Sequence, residues 1–354
     1  MTLVDRYVVA TILGHFWQAL AALTAVFAVV TLTEELRSVG APGWGVAQAL
    51  WYVALTLPSE AYTLFSPAAL LGTVLGLGRM ASDNELVALQ ASGVSMWRIA
   101  RAALLAAALL ALAGAALGEG LAVPLGQRAH AQRALALSGG RALNTSSGLW
   151  LRDGSRFVNI GTLRPDGSFG DVYVFDLPQG RELERFAYAP TAVPADGRWR
   201  LHDLREQSFS GEGWAAGTAR PLELAVDARQ VRTLWLEPRD LSLGELGRTI
   251  QSLRAQHQNA LSYQIAFWRR LSAPVYLTIM VLLAVPMVMT GGRSARVGER
   301  ALLATLIGIG FQMFQEMFTN LGLVVGLPPV VIAIVPGVAA LALATVVFRR
   351  RTLQ

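Results

Sequence analysis

The sequence predicts an α+β membrane protein, with three transmembrane helices on each side of one water-exposed β-rich domain. Hydrophobic residues make up 53% of the 354 and charged residues only 15%, against about 25% charged in average soluble proteins, and the mean hydropathy is +0.44. The charge deficit is uneven, deep before about residue 120 and after about 270 and absent between them. From about 148 to 236 the long apolar runs give way to short alternating ones rich in Val, Phe, Tyr and Trp.

A spanning helix needs ~20 mainly apolar residues. Residues 8–33 supply the first, and the run is too long for a signal-peptide core, so it reads as an uncleaved anchor. The second covers 46–79 and is overlong, so Pro58 and Pro67 are expected to kink it or split off an interfacial piece. The third covers 102–122, and 271–290, 301–321 and 329–348 complete six. Gly72 and Gly76, Gly114 and Gly118, and Gly322 and Gly326 fit the small-xxx-small spacing of close helix contacts. Alanine- and glycine-rich spans produce such matches by chance, so the spacing carries little weight.

Arginine placement orients the spans. With the N-terminus inside, Arg6, Arg79, Arg98, Arg101, Arg293, Arg296, Arg300 and Arg349–Arg351 share the inner face, against Arg37, Arg128, Arg133, Arg269 and Arg270 outside. Both termini are then cytoplasmic, and the β-rich block is periplasmic in a Gram-negative inner membrane. The expected division is 1–123 for the first three helices, with a cytoplasmic helix at 82–93, then 124–265 for the β-rich domain with flanking helices, and 266–354 for the last three spans.

The sequence contains no Lys, and a Walker A loop needs one to hold the β- and γ-phosphates. Any ATP-driven activity must therefore take its engine from another chain. The absence of Cys removes thiolate and disulfide chemistry. At ~1.5 Å rise per residue, Glu60, Glu119 and Glu316 lie ~24–28 Å along their helices from the inner arginines, near the outer edge of a ~30 Å core. They are either interfacial residues or part of an outer polar rim. The midplane is almost purely apolar, which argues against ion-coupled transport.

Asp153-Gly154, Asp166-Gly167 and Asp196-Gly197 read as hairpin turns. Gly148–Asp153 and Ser155–Gly161 form one expected hairpin. Further strands are expected at Asp171–Asp176, Glu182–Ala187, Arg198–Leu204, Leu222–Val226 and Val231–Glu237, which together suit a sandwich or barrel-like domain. A helix over 240–258 follows, capped by Asp240 or Ser242, with Leu243, Leu246, Ile250 and Leu253 on one face. His130, His202 and His257 have no metal-ligand spacing, and no nucleophile–base pair or carboxylate dyad stands out.

Two sets of residues carry candidate function. Ser82-Asp83-Asn84-Glu85 fits a capping box for a short helix running through Leu86, Val87, Leu89 and Gln90 and stopping at Gly93. Such a helix either lies on lipid or docks into a groove on a partner. Arg37, Arg133, Arg269 and Arg270 sit against the positive-inside trend, and guanidinium pairs bidentately with phosphate. Their expected partner is a phosphorylated lipid headgroup, with ordinary phospholipid contact or pairing to Glu34 and Glu35 as the alternative.

Asn84-Glu85-Leu86-Val87-Ala88-Leu89-Gln90-Ala91-Ser92-Gly93 resembles the coupling-helix motif of the LptF/LptG family of lipopolysaccharide export permeases. Val4-Asp5-Arg6-Tyr7 resembles that family's opening, Gly118-Glu119 with Pro124 the end of its third span, and Thr145-Ser146-Ser147-Gly148-Leu149-Trp150 the start of its β domain. Gly326-Leu327-Pro328-Pro329 resembles the turn before its last span. The likeness covers essentially the whole chain and is nearer the family's G type than its F type.

The resemblance implies six spans with a periplasmic β-jellyroll and a non-catalytic permease role. It also implies partners: a sister permease of LptF type, a cytoplasmic ATPase dimer of LptB type that binds the ATP, and a bitopic bridge protein of LptC type. The complex extracts lipopolysaccharide from the inner membrane and passes it to a periplasmic bridge. By the same resemblance, Ser82, Asp83, Glu85, Leu86, Leu89 and Gly93 form the ATPase-coupling segment. Arg37 and Arg133 match basic positions facing lipid phosphate, with Arg269, Arg270 and Glu34 beside them on the outer side. Close relatives carry Lys in the outer part of span one where this sequence has Thr31, which shifts headgroup binding onto arginines. The alternatives to a permease are a lipid-modifying membrane enzyme and a passive envelope scaffold.

Overall fold

The computed structural model describes residues 3–41, 43–137, 143–153, 156–164, 168–177, 183–195, 198–209, 215–216, 220–222, 238–255, 258–289 and 297–352. The protein is mostly helical, with a small antiparallel sheet domain between helical segments. It divides into two compact units, one of Met1–Thr31, Thr56–Leu125 and Gln264–Gln354, the other of Leu32–Leu55 and Gly126–Tyr263.

The helices are α1 (Leu3–Leu36), α2 (Val46–Thr63), α3 (Phe65–Ser82), α4 (Glu85–Ala91), α5 (Met96–Leu117), α6 (Val123–Leu137), α7 (Leu243–Ala255), α8 (Leu261–Met289), α9 (Val297–Val325) and α10 (Pro329–Thr352). Among the described residues, Leu3–Leu36, Met96–Arg133, Leu261–Val288 and Gly298–Val325 are long and apolar enough to cross a membrane. The pair α2–α3, bent by 65°, makes a fifth candidate if the two halves form one broken span. The apolar stretch of α10, Pro329–Ala342, is shorter.

The break in α2–α3 falls at Leu64, not at Pro58, which α2 accommodates in its interior. Pro67 has no N–H, and the bond it cannot make would have gone to the carbonyl of Thr63, four residues back. Gln312 of α9 supplies the missing donor, its Nε2 lying 3.3 Å from that carbonyl oxygen. Gly308, one turn earlier on α9, lets the two helices meet there, since a Cβ would stand 2.9 Å from Cβ of Pro67.

The helix that carries the third expected span runs on past residue 122. It continues to Leu137 through a π-helical turn at Gly118–Ala122, in which the Val123 N–H reaches the Gly118 carbonyl. Pro124 removes a donor just beyond, and a π turn absorbs such a mismatch without ending the helix. Ser59 Oγ donates to the Ala122 carbonyl at 2.9 Å, satisfying part of the disturbed ladder.

The helical unit has one apolar core. Ile12 and Phe16 of α1, Leu70 and Leu77 of α3, Ile99 and Leu110 of α5, and Val281 and Ala284 of α8 are essentially fully buried. Gly72 with Gly76 and Gly114 with Gly118 lie at close contacts, whereas Gly326 stands beyond α9 at φ +73° with nothing within 4 Å of its Cβ position. A Cβ on Gly72 would lie 2.5 Å from Cα of Phe16, so α1 and α3 meet backbone to backbone. Gly114 receives the Phe65 ring, Gly118 the Tyr62 ring and Gly322 the Ile332 side chain.

In the second unit the strands are β1 (Leu143–Asp153), β2 (Arg156–Leu163), β3 (Phe169–Asp176), β4 (Arg185–Ala195), β5 (Arg198–His202), β6 (Arg205–Ser208), β7 (Ala215–Ala216) and β8 (Arg220–Leu222). All described pairings are antiparallel, in the order β1-β2-β3-β4-β5-β8. The expected hairpin forms with Asp153 opposite Arg156, and Ala195 pairs with Arg198 on either side of the third expected turn. Gly154, Asp166-Gly167 and Asp196-Gly197 of the expected turns, and the strands expected at Leu222–Val226 beyond Leu222 and at Val231–Glu237, lie outside the described residues.

β6 has no apolar alternation and is not legible in the sequence. It pairs with the first half of β4 while β5 takes the second half, and Asp203 between them has φ +53°. One sheet face is aliphatic and buried, with Val158, Ile160, Val172 and Ala189 nearly inaccessible. The other carries an aromatic ladder in which Trp150 stacks on Phe175, Phe175 meets Phe186, and Tyr173 meets Tyr188.

Candidate functional site

The segment 82–93 forms a helix of its own, but the capping box does not form. Ser82 is the last residue of α3, and its Oγ donates to the Arg79 carbonyl at 2.8 Å. Only two residues separate α3 from α4, and Asn84 makes the turn at φ +59° with no side-chain cap. Asn tolerates this left-handed conformation better than most residues. A capping box needs a free amide at the cap, and Ser82 sits inside the preceding helix. Glu85 turns outward instead, and Tyr7 Oη donates to its Oε2 at 2.8 Å. Asp83 lies 3.8 Å from Arg79 one turn earlier, both exposed, so the pair adds little.

The far end of α4 behaves as expected. Gly93 has φ +89°, its N–H bonds the Gln90 carbonyl at 3.0 Å, and the Val94 N–H bonds the Leu89 carbonyl at 3.0 Å. This is a Schellman motif, in which glycine takes the left-handed position at least cost. Val94 is buried in the core and Leu89 packs against that core. Leu86 is 4% exposed in the same cluster, while Val87 on the opposite side is 54% exposed. α4 is therefore anchored by Leu86, Leu89 and Val94 and presents Val87 outward.

A second tie lies beside it. Asp5, 5% exposed at the side chain, places Oδ1 3.6 Å from Nε of Arg98 in the first turn of α5. Asp5 and Tyr7 were visible in the sequence only as part of the opening motif. Their polar character at the start of an apolar helix was the one available signal.

The outer arginines divide into paired and unpaired. Arg133 Nε lies 3.0 and 2.9 Å from the two carboxylate oxygens of Glu35, a carboxylate only 8% exposed, and the guanidinium sits 5.7 Å from the Tyr52 ring centroid. Arg269 forks onto Glu316 at 3.3 and 3.5 Å. Arg270, 10% exposed, lies 3.3 Å from Glu119 in the π turn and 5.5 Å from the Tyr62 ring centroid. Gly118 makes room for that ring, since a Cβ there would be 2.7 Å from it. Of the expected carboxylates only Glu35 is engaged, by Arg133, whereas Arg269 and Arg270 pair with Glu316 and Glu119. Among the described residues, Arg37 and Glu34 are exposed and have no side-chain ion pair.

Of the histidines, His130 contacts Tyr52 Oη at 3.3 Å and Asp240 at 3.7 Å. His15, which the hydropathy reading passes over, places Nδ1 2.8 Å from the Thr11 carbonyl of its own helix. Among the described residues no group of His, Asp and Glu has the geometry to hold a metal. Beyond the sheet, Ser242 is the cap of α7, and here a capping box does form. The Glu245 N–H bonds Ser242 Oγ at 3.2 Å, and the Ser242 N–H returns to Glu245 Oε2 at 2.8 Å. Gln127 also donates to that carboxylate at 3.3 Å. Burial alone would raise the Glu245 pKa, but these donors outweigh it and hold the carboxyl below its ordinary range.

Comparison with known proteins points one way. The family model described as "Lipopolysaccharide export system permease LptF/LptG" matches residues 6–350. The lipopolysaccharide export system permease protein LptG of Escherichia coli K12 is 31% identical over 344 residues, covering 94% of each chain. LptG of Haemophilus influenzae is 29% identical over 336 residues, again covering 94% of each.

Proposed function

Because the chain belongs to the LptF/LptG family of lipopolysaccharide export permeases, we propose that α4 is the point at which ATP hydrolysis on another subunit drives it. The chain is a multi-pass permease subunit of a lipopolysaccharide exporter and is not itself catalytic. In the proposed assembly a sister permease of LptF type stands beside it, an LptB-type ATPase dimer binds ATP in the cytoplasm, and an LptC-type bitopic protein receives the lipid. α2–α3 counts as one broken span and α10 as the sixth, which puts both termini in the cytoplasm and the sheet domain, as a jellyroll, in the periplasm of the inner membrane. The inner-face arginines support that orientation.

The observation that carries the coupling role is the way α4 is held. Seven residues are too few for a self-supporting helix, yet Leu86 and Leu89 bind it to the core while Val87 and the Glu85 edge stay accessible. A short helix fixed on one side and open on the other suits docking into a groove. Ser82, Asp83 and Gly93 frame it, Gly93 by ending it.

For lipid contact, Arg37 is the accessible cation, next to Glu34. Arg133, Arg269 and Arg270 would have to exchange a carboxylate for a lipid phosphate, which charge-assisted bidentate binding allows. Glu85→Arg tests the coupling role, because reversing the charge should abolish co-purification of the ATPase while the folded chain persists. Retention of the ATPase would refute it.

A further inference from the structure

The first two turns of α1 hold both ends of the α4 excursion. Tyr7 Oη donates to Glu85 Oε2 at the start of α4, 78 residues away in sequence. Asp5, buried, faces Arg98 across 3.6 Å at the start of α5. Residues two apart on a helix point about 200° apart, so the two ties leave α1 on different sides. Val8, Val9 and Leu86 lie in the same buried cluster. The Tyr7–Glu85 and Asp5–Arg98 contacts therefore tie the start of α1 to α4 and to the head of α5.

The Tyr7 bond also fixes the rotamer of a carboxylate that its own helix leaves uncapped. The N-cap, Asn84, makes no side-chain bond, and Glu85, in the first helical position, is partly exposed. Without the phenol, that side chain has several staggered positions open to it.

From this geometry we infer that Tyr7 is a positioning residue for Glu85, and that the start of α1 moves with α4 as one body. A displacement applied to Glu85 then enters α1 directly as well as through α3 and α5. The inference rests on the reading of α4 as the ATPase-docking helix and adds a residue and a route to it. Tyr7 is 48% exposed, so removing its hydroxyl leaves no buried orphan and the fold should tolerate Phe.

The test uses the full reconstituted complex with lipopolysaccharide and ATP. Tyr7→Phe should retain the ATPase at the wild-type ratio. It should lower lipopolysaccharide released per ATP hydrolysed by about fivefold, within the range that loss of one hydrogen bond sets. Amide hydrogen exchange across residues 85–91 should quicken by a similar factor. An unchanged release ratio or unchanged exchange overturns the inference, and so does loss of the ATPase from the Tyr7→Phe complex, since Tyr7 would then be a docking contact. Glu85→Arg in parallel separates the two ideas. If that variant keeps its ATPase, the docking reading fails whatever Tyr7→Phe does. If it loses the ATPase while Tyr7→Phe behaves as wild type, only the positioning role fails.

Discussion

Replacing Gly72 by alanine adds one methyl group where α1 and α3 meet backbone to backbone in the apolar core. The new Cβ would stand 2.5 Å from Cα and 2.6 Å from the backbone nitrogen of Phe16, and 3.0 Å from the carbonyl carbon of His15. Carbon atoms pack best at about 3.5–4.0 Å, so α1 and α3 must separate by roughly 1 Å over a seam that includes Ile12, Phe16 and Leu70. The atoms met are backbone, which cannot rotate away. Overpacking of this kind costs about 1–3 kcal/mol, and a clash with backbone belongs at the upper end. Gly78 is the internal control, since nothing lies within 4 Å of its Cβ position, and alanine there gains up to ~1 kcal/mol of helix propensity. Gly76 is intermediate, with the Thr11 carbonyl at 3.2 Å. Reversible unfolding in mixed micelles should therefore rank Gly72→Ala as the least stable, Gly76→Ala next, and Gly78→Ala at or above wild type, with ends about 3–4 kcal/mol apart. Equal stability of Gly72→Ala and Gly78→Ala would refute the α1–α3 crossing.

Substitutions at two further positions probe the polar contacts. The Glu245 pKa is depressed in the fold, so its contribution is full above the unfolded value near ~4.3 and is lost as pH falls through the folded value. On acidification below pH ~4, wild type should lose more stability than Glu245→Gln, measured by the pH dependence of unfolding. Arg270→Lys keeps the charge but loses the planar guanidinium that pairs with Glu119 and faces Tyr62. It should be destabilised by about 1 kcal/mol, and Arg270→Ala by more, because the latter also removes the ion pair to Glu119, whose partial exposure limits the cost. Thermal unfolding of both variants checks the order.

Much of the architecture follows from the sequence because it rests on local and additive properties. Long apolar runs separated by charge, alternation in the middle block, and glycine at 93 and 326 each act over a few residues, and the structure has helices, strands and positive φ at those places. The capping signature shows where such reading stops. Ser-x-x-Glu occurs at 82–85 and, as Ser242-Leu243-Gly244-Glu245, at 242–245, and only the second forms a box. At 82 the preceding helix already claims the serine, and at 85 a tyrosine from another helix claims the carboxylate.

Two groups of helices around one sheet domain, an arginine-only chain with no phosphate-binding lysine, and a short helix ending at Gly93 were determined by the sequence alone. The tertiary structure decided the partners: Tyr7 for Glu85, Glu35 for Arg133, Glu119 for Arg270, Gln312 for the Thr63 carbonyl, and the backbone of Phe16 for Gly72. The reason is physical. Hydropathy and turn propensity depend on a residue and its near neighbours, whereas a hydrogen bond or a packed glycine depends on which distant atom the folded chain brings within about 3 Å.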